Sequence, residues 1–295
     1  MLRNFFYLCE YIIVRIVCLF IVFVPRCVLR LISIIVGTIG YYVLPKKRKI
    51  ALDNLRIAFG KEKTDKERKC IARASMQNLV FVFLEFIHFA KHKEILNKYV
   101  FFDEEERSRI EKIASENKGY ILMTAHIGSW ELLILAAKLL GFRMSIVTRA
   151  VKNKYLYDYI TYLRSSSGVK IIDKPDAVKT AIRIAQDKGT IGTMIDQRVG
   201  ESGVVVDFFG QPATVTRFPA LMHLKYDFTL YPIFAIRKSS GRYHIVLKDE
   251  ISAPKHIQDK EARIEYMVKA YTKAVEDVVR EYPEQWLWYH RRWRL

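Results

Sequence analysis

The chain has few cysteines, few acidic residues and no long unbroken hydrophobic run, and each shortage excludes something. Its 295 residues hold four cysteines, Cys9, Cys18, Cys27 and Cys70, with no CxxC pair. The first three share one apolar segment at spacings of nine, which fits neither a zinc site nor a disulfide framework. Reduced thiols are expected, in keeping with a cytoplasmic domain. Acidic residues number 31 against 49 Lys and Arg, a formal net charge of +18. That imbalance calls for an anionic partner: nucleic acid, anionic lipid or an acidic protein. Internal repeats and low-complexity linkers are lacking, and about half the chain is apolar, so a large core can form.

No charge-free apolar stretch reaches the roughly 20 residues of a simple membrane span. Residues 5–44 are mostly apolar, but Glu10, Arg15, Arg26 and Arg30 interrupt them, and Pro25 ends or kinks the first helix. The longest charge-free stretches are 16–25 and 31–45. No small-residue cleavage site follows a short apolar core, so a cleaved signal peptide is not expected. Three readings stand. Residues 5–24 cross the bilayer, or residues 5–44 lie in its interface as two amphipathic helices, or both helices pack on a soluble core. The cluster Lys46-Lys47-Arg48-Lys49 directly follows and suits a cytoplasmic headgroup surface, which favours the membrane readings. Residues 1–45 are therefore expected to form a membrane-anchoring or interfacial helical segment, and 46–295 the catalytic domain.

Beyond that segment, residues 65–92 carry helical periodicity. From Gly119 strands and helices alternate. Strands are expected at 120–125, 144–148, 169–172, 190–195, 230–236 and 243–247. Helices are expected at 129–140, 154–164, 176–187, 217–225 and 257–281, the first with Ser129 as N-cap and Gly141 as its stop. The pattern predicts an α/β layered domain with a largely parallel central sheet flanked by helices. Ligands of such sheets collect at the carboxyl ends of strands. His126 follows one such end, and Asp196 another.

The segment Thr124-Ala125-His126-Ile127-Gly128-Ser129-Trp130-Glu131 carries the clearest chemistry. Histidine takes up a proton near neutral pH, and a carboxylate can orient it and stabilise its charged form. The pair suits proton abstraction from a hydroxyl. A metal site would need more ligands nearby, and none is expected. Five residues on a regular helix separate two side chains by about 140°, so His126 belongs in a loop and Glu131 in the first helical turn. Gly128 would let the backbone approach a substrate closely. A core histidine beside a capping glutamate fits the same residues.

Other stretches bear on that choice. Arg149 and Arg164 follow a strand and end a helix, each either a site cation or a surface arginine. Asp196-Gln197-Arg198 is either a site or a turn. The loop around Phe208-Phe209-Gly210 either packs in the core or lines a groove for an acyl chain. The run from Glu284 to Arg294 mixes aromatics with cations, which suits nucleic acid and a phosphate site equally.

Taken together these stretches resemble the lipid A biosynthesis acyltransferases, the late lauroyl and myristoyl transferases of Gram-negative bacteria. Five elements match in order over nearly the whole chain. They are the stretch Lys46–Phe59, the His126/Glu131 motif, Arg149 through Arg164, Asp196-Gln197 with Phe208-Phe209-Gly210, and Pro283–Arg292. Phe59-Gly60-Lys61 departs from the Phe-Pro-Glu common in that family. The resemblance implies acyl transfer from an acyl carrier protein thioester to a hydroxyl of a phosphorylated, Kdo-bearing disaccharide lipid at the inner membrane. It implies no metal, no nucleotide cofactor and no nucleic acid partner. His126 would be the general base and Glu131 its orienter. Arg164 or the backbone amides of residues 128–130 would hold the oxyanion. Arg149, Arg164 and Arg198 would meet acceptor phosphates and carboxylates. A glycerolipid acyltransferase shares the histidine–carboxylate spacing, but usually with Asp at position 131 and a downstream Phe-Pro-Glu-Gly-like block that this chain lacks. Acylation of another glycolipid and a non-catalytic basic surface protein are the remaining alternatives.

Overall fold

The computed structural model describes residues 2–116, 118–148, 151–173 and 177–293. Two apolar helices come first, α1 (Leu2–Phe23) and α2 (Arg26–Val43), separated by Pro25, whose carbonyl accepts from the Val28 and Leu29 amides as α2 starts. α3 (Pro45–Phe59) begins on a proline, and α4 (Asp65–Lys91) is opened by a capping box between Thr64 and Glu67. α2 lays Leu29, Ser33, Gly37 and Tyr41 against α4, at four-residue spacing. A Cβ on Gly37 would lie 2.4 Å from the Gln77 Cα, so the two helices cross at backbone contact. Opposite faces of α1 and α2 expose Phe5, Ile13, Phe20, Leu31, Ile35 and Ile39. Three helices, Arg3–Phe23, Arg26–Val43 and Asp65–Lys91, are long and apolar enough to cross a membrane. The third matches the helix expected over 65–92, though not as a candidate span, and it is partly buried, packing on α2 on one side and on the C-terminal residues Gln285 and Trp286 on the other.

The central layer is a seven-stranded sheet. Its strands are β1 (Val100–Phe101), β2 (Tyr120–Thr124), β3 (Met144–Thr148), β4 (Lys170–Asp173), β5 (Thr190–Met194), β8 (Thr229–Arg237) and β9 (Tyr243–Leu247), in the spatial order β1-β9-β8-β2-β5-β3-β4. Within this sheet, among the described residues, β8 and β9 are the one antiparallel pair. This is the α/β layered architecture that the alternation predicts. β2 is buried along Tyr120–Met123, as a central parallel strand covered on both faces must be. Around it run α5 (Leu96–Tyr99), α6 (Glu104–Ser115), α7 (Trp130–Ala136), α8 (Lys154–Ser165), α9 (Ala177–Gln186), α10 (Phe218–Tyr226) and α11 (Lys260–Glu281). α7 stops four residues short of the expected end, and a turn through Gly141 (φ +81°) completes the connection.

The segment around Phe208 is a hairpin rather than an irregular loop. β6 (Val204–Phe208) pairs antiparallel with β7 (Gln211–Val215). Phe209 (φ +58°) and Gly210 (φ +72°) both turn left-handed, as a two-residue hairpin of this twist requires. Such a conformation is costly for phenylalanine. The Phe209 amide donates to the Glu276 carboxylate at 2.7 Å, and its ring packs on Phe59, Phe208, Trp288 and Trp293, which hold the turn in place.

Candidate active site

β2 and β5 are adjacent and parallel, with Thr124 opposite Met194. The Ile195 amide extends the ladder to the Thr124 carbonyl at 3.0 Å. Two residues further on, His126 and Asp196 leave the two strand ends side by side. His126 Nδ1 lies 2.8 Å from Asp196 Oδ1, and the His126 backbone amide donates to Asp196 Oδ2 at 2.8 Å. Trp286 Nε1–H donates to the same Oδ2 at 2.9 Å. Asp196 is 5% exposed, whereas His126 keeps access to solvent. Burial pushes the Asp196 carboxyl up, but the neighbouring His126 charge and the hydrogen bonds from His126 and Trp286 outweigh it, holding the group at about 2. An ionised Asp196 accepts from Nδ1–H, so the neutral imidazole has its lone pair on Nε2. The Gln197 amide nitrogen, on an exposed side chain, lies 3.2 Å from that Nε2.

The geometry redistributes the expected partners. Glu131 does lie in the first turn of α7, but its carboxylate meets Arg164, with Nε–Oε2 at 3.0 Å and a second contact from Nη2 to Oε1. The carboxylate bonded to the His126 ring is that of Asp196. Chain direction explains the difference. Gly128 (φ +63°) turns the main chain away between His126 and α7, and its missing Cβ would fall 1.9 Å from the Ala235 carbonyl oxygen. The close approach expected at Gly128 is thus made to β8. The Gly128 and Ser129 amides donate to the Gln285 and Ala235 carbonyls, so they are committed to the fold and not to an oxyanion. Trp130 covers one side of the His126 ring, edge to face at a centroid distance of 5.2 Å.

Arg198 is exposed in the loop after Asp196. Arg149 lies outside the described residues. Phe208 and Phe209 are buried against Trp286, Trp288 and Trp293, so they form core rather than the wall of a groove, while Gly210 is exposed at the hairpin tip.

The C-terminal run is a strap under the His126 loop. Leu287 N–H donates to the His126 carbonyl at 2.9 Å, Ile127 bridges Trp286, and Asn78 of α4 donates to the Gly128 and Gln285 carbonyls. Its aromatics Trp286, Trp288 and Tyr289 are buried. His290 lies on the same strap with its Nδ1 buried and unpartnered among the described residues. Burial lowers its pKa, the Asp196 charge opposes that, and positive charge at Arg292 and Lys47, or at His126 when it is protonated, adds to the lowering. Arg292 is buried and lowered to about 10 by desolvation, against the attraction of Asp196. Trp286 and Asn78 are site-building residues that sequence reasoning missed. The one signal for Trp286 was an indole N–H in an apolar run, which needs a buried acceptor.

No match to the chain was found among curated proteins. A family model described as bacterial lipid A biosynthesis acyltransferase matches residues 2–295. With that match spanning nearly every residue, and with histidine and carboxylate meeting at the strand ends, the chain belongs to the bacterial lipid A biosynthesis acyltransferase family.

Proposed function

We propose that the protein transfers a fatty acyl chain from acyl carrier protein to a hydroxyl of a Kdo-containing lipid A precursor, on the cytoplasmic side of the inner membrane. The observation that carries this reading is the 2.8 Å contact between His126 Nδ1 and Asp196, which leaves Nε2 as the basic atom on the accessible side. A hydroxyl is a poor nucleophile until a base takes its proton during attack. His126 Nε2 takes that proton. Asp196 holds the ring and stabilises the imidazolium, which then protonates the departing thiolate of the carrier. Glu131 holds Arg164 by two contacts and so fixes a guanidinium near the start of α7. The Gln197 amide is the neutral donor next to Nε2, placed to move onto the tetrahedral oxyanion.

The lipid side of the reading rests on α1 and α2, whose exposed faces carry large apolar side chains over two helical lengths. The acidic carrier and the anionic acceptor both suit the +18 charge.

The test supplies the purified full chain with an acyl carrier thioester and the Kdo-bearing precursor, and follows product by mass spectrometry. Turnover is expected in the parent, with a loss of at least about a hundredfold in His126→Ala. Full activity in that variant would overturn the assigned base. Turnover only with a glycerolipid or another glycolipid would overturn the acceptor.

A further inference from the structure

Where α2 ends and α3 and α4 begin, the surface forms an open pocket of about 490 Å³. Arg48 of α3 and Lys66, Lys69 and Arg73 of α4 line it, with Tyr41 and Cys70, and no carboxylate is among the lining residues. The three α4 cations stand at i, i+3 and i+7, one helix face. Among the described residues, none of the four makes an ion pair. Like charges gathered this way repel one another unless an anion joins them.

The walls are fixed. The Arg48 guanidinium sits 5.4 Å from the centre of the buried Tyr41 ring. The Gly37–Gln77 backbone contact and the 2.9 Å hydrogen bond from Gln77 to Thr38 lock α2 onto α4. Tyr289 donates to the Ala72 carbonyl at 2.6 Å, next to Arg73. Arg68 ties the α3–α4 turn by donating to the Gly60 carbonyl at 3.2 Å and to Asp65 at 2.7 Å. At the rim, Tyr42, Val43 and Leu44 expose 57%, 62% and 47% of their surface at the end of the apolar face of α2. Cations beside an apolar exposed face lie at the depth of lipid headgroups. The cavity also has headgroup dimensions, whereas docking an acidic protein calls for a broader surface.

We propose that this cavity binds the phosphate group of an anionic lipid at the membrane surface. The site is separate from His126. It rests on membrane association by α1 and α2 and not on the acyl-transfer chemistry, and binding is read without turnover. A failed acyl-transfer assay therefore leaves it standing, and the reverse also holds.

Cys70 is an exposed free thiol in the cavity, and Cys27 is an exposed thiol on α2 away from it. The experiment alkylates the full chain in uncharged detergent micelles and measures both thiols by peptide mass spectrometry. It titrates short-chain phosphatidylglycerol, short-chain phosphatidylcholine or inorganic phosphate. Phosphatidylglycerol is expected to slow labelling of Cys70, with Cys27 responding equally to the two lipids. The double variant Lys69→Gln/Arg73→Gln, which changes two exposed side chains, should need roughly thirtyfold more phosphatidylglycerol for the same protection. Its thermal unfolding should match the parent's. Equal protection by phosphatidylcholine, or an unchanged titration in the folded double variant, would overturn the proposal. Protection by inorganic phosphate at the lipid's own concentrations would overturn the lipid assignment, as would protection only by an acidic carrier protein.

Discussion

Two carboxylate–cation pairs sit close to the start of α7, and they differ in what their cations can do. Glu131 meets Arg164, a guanidinium that keeps its charge at every working pH. Asp196 meets His126, whose imidazole can accept and release a proton. In both pairs the carboxylate is buried and the cation partly accessible. The first pair is therefore a fixed element of shape and charge, and the second a proton-handling device. A histidine–carboxylate motif in sequence does not say which carboxylate serves the histidine; the strand ends do.

The largest expected effect lies in the proton-handling pair. His126→Ala should lower turnover by roughly a hundredfold to ten-thousandfold, measured as product formed per folded enzyme. Asp196→Asn should cost at least about a hundredfold and move the acid limb of the pH–rate profile to lower pH, because the imidazolium loses its carboxylate. In the fixed pair, Glu131→Gln leaves Arg164 without its partner, so denaturant unfolding should report a loss of about 3 kcal/mol. The acid limb should stay where it was. Asp196 also links stability to pH. Its folded pKa of about 2 lies below the ordinary 3.8, so its stabilisation is full above pH 4 and is lost as pH falls through 2. About 2 kcal/mol should vanish across that window in the parent. Unfolding of Asp196→Asn should lack this component. The smallest effect is expected for Trp286→Phe, which removes one hydrogen bond to Asp196 and should cost about 1–2 kcal/mol of stability in the same unfolding assay.

Much of this arrangement is legible in the sequence. The parallel strand β2 announces itself as a short, buried apolar run, β3 and β5 as mixed and partly buried ones, and the polar residues after β2 and β5, His126 and Asp196, mark the site edge. Their pairing is not legible, because it joins residues 70 apart through strand adjacency, while Glu131 is near in sequence and claims attention. The β6–β7 hairpin is hidden for a local reason: its turn places Phe209, a residue that rarely turns left-handed, where Asn or Asp is usual. Aromatic packing and the Glu276 hydrogen bond, both reaching across the sequence, help make that turn tolerable. The C-terminal strap is misread from composition for a similar reason. Its aromatics and cations look like a binding surface, yet Trp286, Trp288 and Arg292 are buried beneath the loop they support.

The most direct test of the proposed division of labour is the pH dependence of kcat/KM in two isosteric variants, Asp196→Asn and Glu131→Gln, measured beside the parent. The account predicts that the acid limb moves to lower pH in Asp196→Asn and stays in place in Glu131→Gln. An acid limb that moves in Glu131→Gln and stays in place in Asp196→Asn would contradict it.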